Sequence, residues 1–261
     1  MKDSKMAKLF VLGAGAALPS PEHDTTALAL QVKESVTVIE TGGSTLQKLQ
    51  QLDLPLEQVD RLVLTHSHPD HSYGFPAVLL GLWLAGRQQA LPVYGPADAL
   101  DRLRQILTLF GGDEWPNMFP ISYRPIPLEE QSLVLETPDL RITASPGKHL
   151  IPVVGLRMEV KHVPYTVVFS SDTEPAESIV RLAEGADLLI HESTALEGPL
   201  PWHTSAAGAG DVARRAGARR LMLIHLPRMT AEEEVAMQTN AAQTFGGEVI
   251  LARDNLVLDL T

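Results

Sequence analysis

The sequence predicts one α/β domain spanning residues 1–261, in a pattern that suits a sandwich of two sheets with helices outside. Strand-like runs alternate with helical stretches in both halves of the chain, and no Pro/Gly/Ser-rich linker divides them. A hydrophobic content of 44% in 261 residues is ordinary for a protein with a full core.

Leu9 to Leu12 reads as the first strand, entering a glycine turn. Lys5 and Lys8 before the apolar run give it a superficial likeness to a secretory signal, but the strand reading is preferred. Thr26 to Val32 and Ser35 to Ile39 form a hairpin about the polar Lys33-Glu34 turn. Ser44 is placed to cap a short helix to Gln51. Leu62-Val63-Leu64 is a short buried strand, Phe75 to Gly86 a buried helix, Leu91 to Tyr94 a strand, and Ala97 to Phe110 a helix opened by Pro96. The segment 113–127, with Trp115, Phe119, Tyr123 and four prolines, is neither helix nor regular strand by pattern. It either walls a substrate pocket or anchors a surface loop to the core.

Four strands follow at Ser132 to Glu136, Leu140 to Ser145, Val154 to Val160 and Thr166 to Phe169. Then come helix Glu174 to Ala183, strand Leu188 to Ile190, helix Ser205 to Ala216, strand Arg220 to Ile224, helix Ala231 to Phe245, and strands at 248–251 and 255–259.

A net charge of −11 disfavours an extended grip on nucleic acid, because phosphate binding rests on Lys and Arg. The absence of cysteine excludes disulfides, thiolate metal sites and cysteine nucleophiles. No apolar run reaches the ~20 residues that span a bilayer, so a cytoplasmic protein free of membrane is expected. Two glycine runs, Gly13 to Leu18 and Gly208 to Ala213, imitate a dinucleotide fingerprint. The first meets Pro19 where a helix should begin and the second follows no strand, so neither is expected to cradle a phosphate. Arg214, Arg215, Arg219 and Arg220 read as a solvated helix end.

The chemistry concentrates in Thr65-His66-Ser67-His68-Pro69-Asp70-His71, a polar turn directly after a strand. Imidazole and carboxylate bind borderline divalent ions such as zinc, and packing alone gives little reason to gather so many rings that each need a hydrogen-bond partner. Further polar residues leave later apolar strands: His149, Asp172 and His225.

The pattern His-x-His-x-Asp-His followed by His, Asp and His resembles the metallo-β-lactamase superfamily. Phe169-Ser170-Ser171-Asp172-Thr173, Ala186 to Ser193, His203-Thr204-Ser205-Ala206, Leu223-Ile224-His225 and Leu12-Gly13-Ala14-Gly15 with Pro19-Ser20 resemble its ribonuclease Z branch. The resemblance implies the four-layer αββα metallo-β-lactamase fold and two zinc ions, with manganese or iron as alternatives. It further implies that His66, His68 and His149 hold one ion, that Asp70, His71 and His225 hold the other, and that Asp172 bridges them. Glu192 and His203 match a pair that passes a proton to the leaving group, so Asp70, Asp172, Glu192 and His203 are the expected catalytic residues. The family's habit implies a homodimer.

The chain departs from tRNA-binding members that carry a basic arm between the positions of His149 and Asp172, because only 23 positions separate the two residues here. Glu40-Thr41-Gly42-Gly43 also replaces an Asp-Cys-Gly-Glu-like turn, and His23-Asp24 replaces Arg-Asn. The expectation is a zinc-dependent hydrolase of phosphodiester bonds in a small substrate. The alternatives are a carboxylic ester or lactone hydrolase and a tRNA 3'-processing endonuclease; an iron redox protein and a non-catalytic metal binder are rivals from other classes.

Overall fold

A computed structural model of the chain describes residues 7–196 and 198–260; Lys5, part of the signal-like start, lies outside them. Strands β1 (Ala7–Gly13), β2 (Ala27–Val32), β3 (Ser35–Ile39), β4 (Val59–Val63), β5 (Leu91–Gly95) and β6 (Ile121–Pro125) lie side by side in one sheet. Strands β7 (Ser132–Glu136), β8 (Leu140–Pro146), β9 (Val154–Val160), β10 (Tyr165–Phe169), β11 (Leu188–Glu192), β12 (Arg220–Ile224) and β13 (Glu248–Leu251) form the second. The last strand, β14 (Val257–Asp259), returns to the first sheet and pairs antiparallel with β1.

Helices α1 (Thr45–Gln51), α2 (Pro69–Ser72), α3 (Phe75–Leu84) and α4 (Ala97–Leu109) belong to the first half, and α5 (Glu177–Leu182), α6 (Ala206–Ala216) and α7 (Ala231–Phe245) to the second. Because successive side chains of a strand point to opposite faces, β1 serves two layers. Leu9 and Val11 face the space between the sheets, against Ile142, Leu156 and Leu188. Phe10 and Leu12 face outward, in the cluster that holds Leu49 of α1, Leu79 of α3 and Leu103 of α4. On the far side, Val168, Leu189 and Leu223 pack with Ile179 of α5, Val212 of α6 and Met237 of α7. Three apolar layers between four structural layers make the αββα sandwich.

The structure corrects several sequence expectations. The segment 113–127 contains a strand after all: β6 runs parallel to β5 from Leu91↔Ile121 to Gly95↔Pro125, on the sheet edge, where proline is tolerated. Phe119 is buried in the outer layer, Trp115 stacks near Trp83 of α3, and the Arg104 guanidinium lies 4.3 Å from the Tyr123 ring centre. These aromatics anchor the segment to the helices rather than wall the site described below. Helix α5 begins at Glu177 instead of Glu174, because Pro175 disfavours helical backbone in the residue before it. Ser44 makes no capping side-chain bond; its own backbone N–H is held by Asp24 Oδ2 at 2.7 Å. The four arginines at 214–220 are each paired with an acid, Asp211, Glu177, Asp187 and Glu248 in turn. No helix of the described residues is long and apolar enough to cross a membrane.

One buried carboxylate ties the start of the first sheet to its end. Asp254 Oδ1 accepts from Ala14 N at 2.9 Å, and its Oδ2 from Asp24 N at 3.0 Å and Lys48 Nζ at 2.8 Å. Burial pushes Asp254 toward neutrality, but His23, Lys48 and these N–H groups outweigh it and hold its pKa below the usual carboxylate range. A depressed carboxylate contributes stability above its unfolded pKa of about 3.9 and loses it as pH falls through the lower folded value. Asp254→Asn should cost about 1.5–3 kcal/mol at neutral pH, the scale of a hydrogen bond to a charged group. Urea unfolding at a series of pH values should show the gap to wild type closing below about pH 4; a gap unchanged across that range would refute the assignment.

Candidate metal centre

The seven residues singled out as ligands leave the ends of four strands that open on one edge of the sandwich. β8, β10, β11 and β12 run the same way, since β9 is antiparallel to both β8 and β10 and the ladders β10–β11 and β11–β12 are parallel. Their C-terminal ends deliver His149, Asp172, Glu192 and His225. β4 of the other sheet delivers the segment 66–71, and Val154 N donates to Thr65 O across the sheets at 3.2 Å.

After His68 the chain turns into α2, with Pro69 at its first position, a place where the missing N–H costs nothing. Asp70 and His71 therefore point from one helical turn, which is the form taken by the polar turn expected after the strand. Thr41 N donates to His71 O at 2.8 Å, and Gly42 lies so close that a Cβ would sit 1.8 Å from Asp70 O. Only glycine fits there.

The side chains form two groups that share Asp172. His66, His68, His149 and Asp172 are one; Asp70, His71, Asp172 and His225 are the other, with ligand atoms in each within 4.8 Å of one another. His68 Nδ1 is 3.1 Å from His66 Nε2 and 3.0 Å from His149 Nε2. Asp172 Oδ2 is 3.9 Å from His66 Nε2 and 4.0 Å from His149 Nε2, but 3.5 Å from His71 Nε2 and 3.2 Å from His225 Nε2. Asp70 Oδ2 faces the same two rings at 3.2 and 3.5 Å. Two smaller groups overlap these: Glu40 with His66 and His71, and Glu192 with His203 and His225.

Burial and mutual repulsion hold His66 well below the ordinary imidazole range, and burial lowers His68 and His149. Those rings are neutral at pH 7 and keep a lone pair. Burial alone would push Asp172 up, but His225, His71 and His66 hold it well below the carboxylate range; Asp70 is lowered in the same way by His225 and His71. Burial opposes protonation of His71, yet Asp172, Asp70 and Glu40 raise it well above its usual value. His71 Nε2, His225 Nε2 and Asp172 Oδ1 are buried without a hydrogen-bond partner. The neutral imidazoles of His66, His68 and His149, the ionised carboxylates of Asp70 and Asp172 and the orphaned atoms that face each other fit a divalent cation, and the carboxylates that favour a proton on His71 would favour a cation in its place.

Residues outside the two groups that share Asp172 fix the rings. Glu40, fully buried at a positive φ of 65°, accepts from Thr65 N at 3.2 Å and from the Thr65 hydroxyl, and lies 3.6 Å from His71 Nδ1. Trp202 O accepts from His149 Nδ1 at 2.7 Å. Thr194 Oγ1 donates to Glu192 Oε2 at 2.8 Å and lies 2.7 Å from His225 Nδ1. Sequence reasoning missed Thr194 and Trp202 as partners and saw Glu40 only as a departure from a motif.

The fully buried Glu192 meets His203 beside the cluster. Glu192 Oε1 lies 3.0 Å from His203 Nδ1 and accepts from Thr204 N at 3.0 Å and Thr173 N at 3.1 Å. Partial burial works against a charged His203, but the bond to Glu192 and the attraction of its charge prevail, raising the ring's pKa. His68, Asp70, Asp172 and His225 from the two groups border, with Thr194 and His203, a cavity of about 480 Å³ whose remaining wall includes Ala16, Leu18, Pro69, Pro227 and Arg228. His191 is fully buried with Nδ1 2.8 Å from Glu192 O, and His23 lies 3.5 Å from Asp254 Oδ1; neither joins the cavity wall.

Residues 37–226 match the family of β-lactamase superfamily domains. Ribonuclease Z of Methanothermobacter thermautotrophicus is 29% identical over 291 aligned positions, which cover 92% of each chain. The metallo-β-lactamase fold protein YhfI from Bacillus subtilis superposes with a TM-score of 0.82 at 23% identity, covering 98% of this chain and 99% of the other. The human tRNase Z, short form, superposes with 0.81 at 24% identity, covering 97% and 99%. The names of the ribonuclease Z relatives stand partly against the expectation that nucleic acid is disfavoured. With the strand-end His and Asp cluster, the family match over most of the chain means that this protein belongs to the β-lactamase superfamily, as a metal-dependent hydrolase of the metallo-β-lactamase fold.

Proposed function

We propose that this chain hydrolyses phosphodiester bonds with two divalent ions, one held by His66, His68, His149 and Asp172 and one by Asp70, His71, Asp172 and His225. The observation that carries the reading is the bond between the buried Glu192 and His203, whose ring lines the same cavity as His68, Asp70, Asp172 and His225. Ions bound there supply Lewis acidity, which makes water nucleophilic near neutral pH and polarises a phosphoryl oxygen. Zinc suits a set rich in imidazole, with iron or manganese as alternatives.

The protein's own groups do the rest. Glu192 takes up Nδ1 of His203, which leaves Nε2 as the nitrogen that gives a proton to the departing oxygen. Thr173 N, Thr204 N and Thr194 Oγ1 saturate the Glu192 carboxylate, so that it orients the ring. Asp172, whose Oδ2 lies within 4.0 Å of imidazoles in both groups, would be shared between the two ions, and Asp70 would complete the second set.

The relatives' names favour an RNA phosphodiester over the small diester expected from the sequence. A small diester remains the second reading, on a specific observation: β9, the turn at 161–164 and β10 fill most of the interval between His149 and Asp172, which leaves no room for a protruding arm. Ester or lactone hydrolysis on the same residues is the outcome to set against both.

Protein stripped of metal and reloaded with zinc or manganese should turn over bis(p-nitrophenyl) phosphate only after reloading, and Asp172→Ala should fall to background. Cleavage of a precursor tRNA by the same samples would select the RNA reading; turnover of the aryl diester without it would select the small substrate. Faster hydrolysis of lactones than of any diester would refute the proposal. His203→Ala should reduce kcat about a hundredfold or more for a diester with an alkyl leaving group, the scale of general acid catalysis. It should barely affect a p-nitrophenyl leaving group, which departs without a proton; equal loss on both would remove His203 from the proton donor's role.

A further inference from the structure

We propose that Glu174 is a positioning residue that sets the Trp202–His203 turn and, through it, orients both His149 and His203. The inference rests on the metal and proton-donor roles proposed above and names what couples them. Trp202 has a backbone φ of 70°, in the left-handed region that a bulky residue seldom enters. The residue is 42% exposed, so the indole is not what imposes that conformation. The turn at 200–203 carries it, with Pro201 ahead of Trp202 and His203 N donating to Leu200 O at 3.1 Å, and two further bonds seat that turn against the site. Trp202 N donates to Glu174 Oε1 at 3.1 Å, and Trp202 O accepts from His149 Nδ1 at 2.7 Å.

Glu174 is itself fixed. Its Oε2 pairs with Lys148 Nζ, and its backbone N donates to Lys148 O at 2.8 Å. It therefore clamps the residue just before His149 to the residue just before His203. The next peptide carries His203 to Glu192 at 3.0 Å. Backbone strain of this kind persists only where surrounding bonds over-determine it, and such positions cluster at functional sites. A carbonyl on the far nitrogen of a ligating imidazole also selects its tautomer, so that Nε2 carries the lone pair.

The test compares Glu174→Gln, which keeps an oxygen for the Trp202 N–H, with Glu174→Met, of similar length without one, and with Trp202→Gly, which favours the same φ and deletes the indole. Zinc affinity is read by competition with a chromophoric chelator. At saturating zinc, kcat and KM are read for alkyl and p-nitrophenyl leaving groups. Glu174→Met should bind zinc about tenfold more weakly, at the lower end of losses for partners behind a ligand. Its kcat should fall on the alkyl diester far more than on the aryl one, with KM little changed. Glu174→Gln and Trp202→Gly should stay near wild type in both readouts.

Equal behaviour of Gln and Met would overturn the proposal, and so would a Trp202→Gly loss as large as that of Glu174→Met. Should Glu174→Met not fold, a loss in either remaining variant still overturns it. Zinc affinity is independent of substrate, so failure to cleave any diester would count against the proposed reaction and leave the His149 arm standing or falling on the affinities. A wild type that bound no zinc would remove both.

Discussion

The carboxylate of Asp172 is the group around which the site is arranged. It is 2% exposed and lies within 4.0 Å of four imidazole nitrogens. A buried anion needs charge or hydrogen bonds around it, and buried imidazoles need something to receive their lone pairs. Each half of the arrangement makes the other tolerable, and a divalent cation between them satisfies both. The surrounding shell does the rest: Glu40 behind His71, Thr194 behind His225 and Trp202 O behind His149 fix rings that would otherwise turn.

The fold meets that requirement by bringing strand ends from two sheets to one edge. Apolar layers on both faces of each sheet hold the strands, so their ends are placed by the core and not by the loops. The loops then bend sharply. Glu40, Ser171, Trp202 and His225 all have positive φ without being glycine. Each costs on the order of 1–3 kcal/mol, and all four lie next to or within the cluster. Core burial and the hydrogen bonds of the site offset that cost at these four positions, where the bends orient side chains, while Lys33, Asp53, Asn117, Gln131 and Asn255 take up the same φ away from the site.

What was legible in the sequence follows from how local the signal is. His66 to His71 crowds four donors into six residues, and His149, Asp172 and His225 each follow an apolar strand, so the candidates stood out by position, while their division between two ions came from the resemblance. The Glu192–His203 pair came from resemblance, because nothing in the spacing between them brings two residues together. β6 was hidden by proline, since edge position is a tertiary property that rescues a segment propensity rejects. Thr194 and Trp202 were invisible for a related reason: one acts through a hydroxyl and the other through a backbone carbonyl, and neither contribution has a residue-type signature. Likewise His23-Asp24, which looked like a departure in the chemistry, serves the Asp254 and Ser44 backbone links.

Chemistry and recognition are separable in this molecule. His68, Asp70, Asp172, His203 and His225 line the cavity, with Glu192 buried behind His203, and their geometry asks only for a tetrahedral or planar centre with a leaving oxygen. The cavity's outer wall differs in kind. Ala16, Leu18, Pro69 and Pro227 offer an apolar ledge, with Leu18 78% exposed, and Arg228 adds a cation beside it. In a chain of net charge −11, a single guanidinium beside the cavity attracts an anion only over the short range that salt leaves unscreened. A long polyanion would need cationic contacts further out, and four of the arginines that could have supplied them, Arg214, Arg215, Arg219 and Arg220, are already paired with acids. The same reaction centre can therefore serve different substrates, with the surface outside the cavity deciding among them.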